Sequence, residues 1–146
     1  MTPVTHTVTL TLQNPDGGMH FTADSEDEVI THLDSDESVG GVGMGMRPQK
    51  MLLASLAGCS GMDVISIMRK KRQNVTGFEV QVRGEKAEEH PRVYTKIWLT
   101  FIFTGHDIDP AACERSIELS ITRYCPVAGL LKHVVPIQTS FEVKEA

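Results

Sequence analysis

The chain has 146 residues, of which 40% are hydrophobic, 23% charged and only 5% aromatic. That is the composition of an ordinary globular protein, expected here as one domain over residues 1–146 whose core rests on aliphatics, Met and Ala. The net charge is −5, and residues 1–46 hold no Lys or Arg but eight acids, Asp16, Asp24, Glu26, Asp27, Glu28, Asp34, Asp36 and Glu37; so acidic a third argues against a nucleic-acid partner.

Met1 to Leu12 is Thr-rich and lacks the basic start and apolar core of a secretory signal. Asp63 and Arg69 interrupt the longest apolar run, which stays short of the ~18 uncharged residues that span a bilayer, so no membrane partner is expected. Three cysteines are an odd number for a disulfide framework and point to a cytoplasmic protein with free thiols.

Val4 to Leu12 alternates, with Val8, Leu10 and Leu12 on one face and Thr7, Thr9 and Thr11 on the other, as in a half-buried strand. Asn14-Pro-Asp-Gly-Gly18 is a turn signal, and Met19 to Ala23 reads as the returning strand. A third short strand is expected around Val29 to Leu33. Residues 34–47 form a loop with glycines at 40, 41, 43 and 45, read as flexible, in the manner of an active-site lid.

A long helix opens at Pro48, a residue suited to the first helical position, and runs to about Met68, with Asn74 to Gly77 ending it. Arg69-Lys70-Lys71-Arg72 then falls where cations complement the helix dipole. Gly58 and Gly61 each cost ~1 kcal/mol against Ala in such a helix, so close packing of another helix or subunit is expected there. Phe78 to Gly84 and Val93 to Thr104 read as strands. Asp107 or Asp109 caps a second helix with Pro110 early in it, on which Cys113, Ile117, Ser120, Ile121 and Tyr124 share a face. The residue before a proline disfavours helical geometry, so this helix should break at Cys125. Val127 to His133 forms a further short helix and Ile137 to Val143 a last strand. The order β-β-β-α-β-β-α-(α)-β, without βαβ alternation, is that of an α+β fold. Small antiparallel sheets would pack on two central helices. The first helix is apolar nearly all round, which a dimer would cover.

The thiols carry the chemistry. If Pro126 starts a helical turn, Cys125 is its N-cap, where unpaired N–H groups favour a thiolate and lower its pKa; a partly buried cysteine at a kink is the plainer alternative. Cys59 is mid-helix, where desolvation and Asp63 one turn on would both raise its pKa; on local sequence it reads as a packed core cysteine. Cys113, about 18 Å of helix from Cys125, reads as core. The spacings of Cys and His show no metal signature, no Cys-x-x-Cys motif and no phosphate-cradling glycine motif, so no cofactor is expected.

Pro48 is followed eleven positions later by Cys59, within Pro-Gln-Lys-Met-Leu-Leu-Ala-Ser-Leu-Ala-Gly-Cys, and Tyr124-Cys-Pro-Val-Ala128 closes the second helix. With the element order, these motifs resemble the OsmC/Ohr family, the osmotically induced and organic-hydroperoxide-resistance proteins, over nearly the whole chain. The continuation Ser60-Gly-Met-Asp-Val64 is similar to its YhfA-like branch. The resemblance implies an intertwined homodimer with each active site at the subunit interface. It also implies reduction of organic or inorganic hydroperoxides, with Cys59 as the peroxidatic thiol, Cys125 as the resolving one and a cellular dithiol as reductant. Arg47, Gln49, Met62 and Asp63 are the expected substrate-binding residues. The peroxidases of this family activate their thiolate with an N-terminal Arg and a Glu ten residues before the first Cys. Here Gln49 stands at that place and no Arg precedes Arg47. Arg47 or Lys50 of a partner subunit, or His6 or His20, remain as stand-in cations. Without the pair a slow peroxidase is expected. The alternative is a non-catalytic dimer holding a small apolar molecule in an interface pocket lined by Met44, Met46, Met51 and Met62.

Overall fold

The computed structural model describes residues 2–146 and divides into two units, residues 1–52 and 53–146. In the first unit, β1 (Thr9–Leu12), β2 (Phe21–Asp24) and β3 (Ile30–Leu33) form an antiparallel sheet in the order β1-β2-β3. The expected hairpin is there. Gly17 N–H donates to the Asn14 carbonyl at 3.1 Å, and Asn14 Oδ1 accepts the His20 N–H at 3.1 Å. The strands are shorter than the alternation suggested, and their apolar face is open: Val8 and Leu10 are 55% and 50% exposed. The first strand, expected to be half-buried, is exposed along its length.

The glycine-rich segment corrects the flexible-lid expectation. It is wound around one buried carboxylate. Asp34 Oδ1 accepts the N–H groups of Ser35 (2.7 Å) and Val42 (3.3 Å), and Oδ2 accepts that of Met44 (2.9 Å). A 3₁₀ turn, Glu37–Val39, ends on Gly40 in the left-handed region. A Cβ on Gly41 would lie 2.1 Å from the Ser35 carbonyl oxygen, so only glycine permits that approach.

The second unit holds most of α1 (Pro48–Lys70) and a sheet of β4 (Asn74–Lys86), β5 (Tyr94–His106) and β6 (Ile137–Glu145). Pro48 opens α1 as expected. By length and composition α1 could cross a membrane, but Leu53, Leu56, Ala57, Ser60, Gly61, Val64 and Met68 are buried in the protein's own core. The helix ends earlier than Asn74: Arg72 turns left-handed (φ 56°) and Gln73 N–H caps the Met68 carbonyl at 3.0 Å, which frees Asn74 to Gly77 to begin β4. Of the two helical glycines, Gly61 is closely packed, but against a strand rather than the helix or subunit expected, since a Cβ there would sit 3.2 Å from Val80 Cγ2 of β4; a Cβ on Gly58 would meet nothing within 4 Å.

β5 is the central strand, antiparallel to β4 and parallel to β6. A parallel pair needs a crossover, and α2 (Pro110–Leu119), a π-helical turn (Ser120–Tyr124) and α3 (Pro126–Leu131) supply it. One βαβ-type unit is therefore present, where none was expected, and this sheet is mixed rather than antiparallel. Asp109 is the N-cap of α2 through Ala111 N–H at 2.9 Å. Leu56, Val64 and Met68 of α1, Ile97, Leu99, Phe101 and Phe103 of β5, and Cys113 and Ile117 of α2 form one core.

Burial pushes the Asp34 carboxyl up, but donation from Met44, Ser35 and Val42, with His20 nearby, outweighs it and holds the pKa below the ordinary 3.8. A lowered folded pKa gives a contribution that is complete above the unfolded value and is lost as pH falls through the folded one. Asp34→Ala should therefore speed amide exchange at Ser35, Val42 and Met44 at pH 7, and the difference from the parent chain should shrink below pH 3.8; hydrogen-exchange mass spectrometry measures both.

Candidate active site

The second unit brings the thiols of Cys59 and Cys125 beside one another, near enough that Cys59 acts on the titration of Cys125, and both are free. Cys59 is half-buried on α1. Cys125 follows the π turn and is the N-cap of α3, with its sulfur accepting the Ala128 N–H at 3.4 Å. The break before Pro126 and the N-cap position are as the sequence predicted. The expected acidity of Cys125 is not; the plainer alternative, a buried cysteine at a kink, is what the structure has. Cys125 is 3% exposed, and burial pushes its thiol up to about 11. The Ala128 and Val127 N–H groups act the other way, and the Cys59 thiol adds to the rise. The ordering is physical: a short helix terminus contributes about 0.3–1 kcal/mol, less than one pKa unit, and enclosure outweighs it. Cys113 is fully buried in the core as predicted, its thiol pushed up to about 11 by burial with Asp109 adding to the rise.

Behind the two cysteines lies a polar cluster. Ser120 Oγ is 2.9 Å from Ser60 Oγ and 2.9 Å from Asp63 Oδ2, and both serines are fully buried. Asp63 thus has a hydroxyl partner, where the sequence suggested a carboxylate acting on Cys59. It also borders a cavity of about 480 Å³ lined with Ser66, Ile67, Lys70, Leu119 and Tyr124. Ser60 was not singled out from sequence, and its signal was its helical spacing from the buried Leu56 and Val64. The π turn left no sequence signal that period counting detects.

Met62 is 72% exposed. In the first unit, Arg47 pairs with Asp36, and Gln49 lies half-buried in the first turn of α1. Met44 and Met46 are exposed. Among the described residues, no three His, Cys, Asp or Glu side chains cluster as metal ligands.

Residues 40–140 match the model of the OsmC-like protein family. The chain belongs to the OsmC family. It is 46% identical to Protein YhfA of Escherichia coli K12 over 99 residues, which is 68% of this chain and 74% of that one. A hypothetical protein from Aquifex aeolicus VF5 superposes at a TM-score of 0.84, with 26% identity and 99% of each chain covered. The organic hydroperoxide resistance protein OhrB of Bacillus subtilis shares the fold at a TM-score of 0.59, with 19% identity over 95% of this chain and 98% of that one.

A thiol held at about 11 is almost wholly protonated at pH 7, at roughly one thiolate in ten thousand molecules. Iodoacetamide should therefore label Cys59 first. Labelling of Cys125 should rise about tenfold per pH unit above pH 7, provided the fold is kept; peptide mapping against pH measures both rates.

Proposed function

We propose that the protein is a single-domain, two-cysteine hydroperoxide reductase. The observation that carries this reading is the contact between a half-exposed thiol, Cys59, and a buried one, Cys125. Family membership supports it, since organic-hydroperoxide-resistance proteins share the fold.

The Cys59 sulfur, deprotonated, attacks the outer oxygen of the hydroperoxide. The O–O bond breaks, Cys59 becomes a sulfenic acid, and the leaving alkoxide takes the thiol's proton and departs as the alcohol. Cys125 then attacks the sulfenic sulfur. A Cys59–Cys125 disulfide forms, and the sulfenic hydroxyl leaves with the Cys125 proton as water. A dithiol reduces the disulfide, restoring two thiols and becoming a disulfide itself. Burial of Cys125 keeps the resolving thiol protonated at neutral pH and shields it from the substrate. Gln49 and Lys50 cannot form the Arg–Glu pair of the family's peroxidases, so the first step is slow.

The enzyme works as a homodimer in the cytoplasm. Met62, Tyr124, Leu130 and Val134 are 72%, 52%, 76% and 80% exposed, an apolar surface that a second copy would cover. The exposed Met44, Met46 and Met62 favour one competing reading, a non-catalytic dimer that holds a small apolar molecule.

Cumene hydroperoxide should convert the reduced protein to a species lighter by about 2 Da with a Cys59–Cys125 peptide. Cys59→Ser should abolish the change, and Cys125→Ser should leave a sulfenic acid that dimedone traps. Thiols inert to hydroperoxide would leave the binding reading. Sedimentation at micromolar concentration should give a dimer, and a stable monomer would contradict the assembly.

A further inference from the structure

The two cysteines belong to different elements, and Ser120 is bonded toward both. Its carbonyl accepts the Cys125 N–H at 2.8 Å, the bond that closes the π turn. Its hydroxyl reaches in the other direction, to Ser60 Oγ and Asp63 Oδ2 on α1, each at 2.9 Å. Ser60 is the neighbour of Cys59 in the chain. A hydroxyl has one proton, and a carboxylate is the stronger acceptor. Ser120 therefore donates to Asp63 and accepts from Ser60. Ser60 and Ser120 are fully buried, so separating α1 from the π turn would cost both hydroxyls their partners, while Asp63, half-buried, anchors the bond from the cavity's edge.

The π turn matters for direction. Continued as α-helix, the Cys125 N–H would bond one residue later, to Ile121, and the thiol would swing by about 100° around the axis. A disulfide tolerates little error: the sulfurs must come to about 2.05 Å with the Cβ atoms roughly 3.5–4.5 Å apart.

Building on the two-cysteine reading above, we propose that Ser120 is a positioning residue, which with Asp63 as its anchor holds α1 against the π turn in the register that keeps the Cys59 and Cys125 sulfurs within bonding reach. It touches no reacting atom. Its effect falls on the step that joins the sulfurs and spares the attack of Cys59 on a hydroperoxide.

The test needs no hydroperoxide. The full-length protein is equilibrated in buffers of reduced and oxidised glutathione, where two thiols exchange with one oxidised glutathione to give the Cys59–Cys125 disulfide and two reduced glutathiones. The ratio at equilibrium is the effective concentration of one thiol at the other. Ser120→Ala should lower it by about tenfold or more, and Ser60→Ala, which leaves the Ser120–Asp63 bond, by less than about threefold. A side chain that only stabilised the fold would lower the melting temperature and leave this ratio unmoved. A folded Ser120→Ala protein with the parent's ratio overturns the proposal. If that variant does not fold, Asp63→Ala, truncated at the edge of a cavity, carries the same comparison: a drop of about threefold or more supports the proposal and an unchanged ratio overturns it. A protein that forms the disulfide in glutathione but ignores cumene hydroperoxide defeats the peroxidase reading and leaves the positioning role standing.

Discussion

The contact between the Cys59 and Cys125 thiols is the constraint on which the account turns. It depends on a backbone irregularity. α2 cannot continue past Tyr124, because Pro126 removes a hydrogen-bond donor and disfavours helical geometry at Cys125. The chain widens into a π turn, closes it on the Ser120 carbonyl, and restarts as α3 with Cys125 as its N-cap. The sulfur is thereby turned inward, toward the helix that carries Cys59. The remainder of the second unit supports this meeting: β5 and β6 run parallel, which requires the crossover that contains both α2 and the turn.

The placement assigns different properties to the two thiols. Cys125 is enclosed by protein, and enclosure disfavours its charged form more than the terminus of a six-residue helix favours it. Cys59 is the thiol that solvent reaches. On the proposed two-cysteine reading, the accessible sulfur would meet the oxidant and the shielded one held beside it would resolve the product. On that reading the absent Arg–Glu pair would slow the first step and leave the approach of the two sulfurs unaffected.

Much of this was legible in the sequence because it is local. Pro48 at a helix start, Asp109 as a cap, the break before Pro126 and the apolar run of β5 each follow from one residue's backbone chemistry or from a period. What escaped was non-local. The acidity expected of Cys125 came from its cap position, whereas its burial depends on residues distant in sequence. The glycine loop looked flexible because its organiser, Asp34, lies outside the glycine run, and nothing in a glycine pattern names the acceptor. The parallel pairing of β6 needed knowledge of where the crossover returns. Ser120 was placed on the right face, but its partners Ser60 and Asp63 are some sixty residues away, at |i−j| of 60 and 57.

The chain contains three cysteines, so a thiol count tests the central claim directly. One equivalent of hydroperoxide added to the reduced, native protein, followed by denaturation and thiol titration, should leave a single titratable thiol, that of Cys113. A count that stays at three, or that falls by one with no sulfur–sulfur bond formed, would contradict the account.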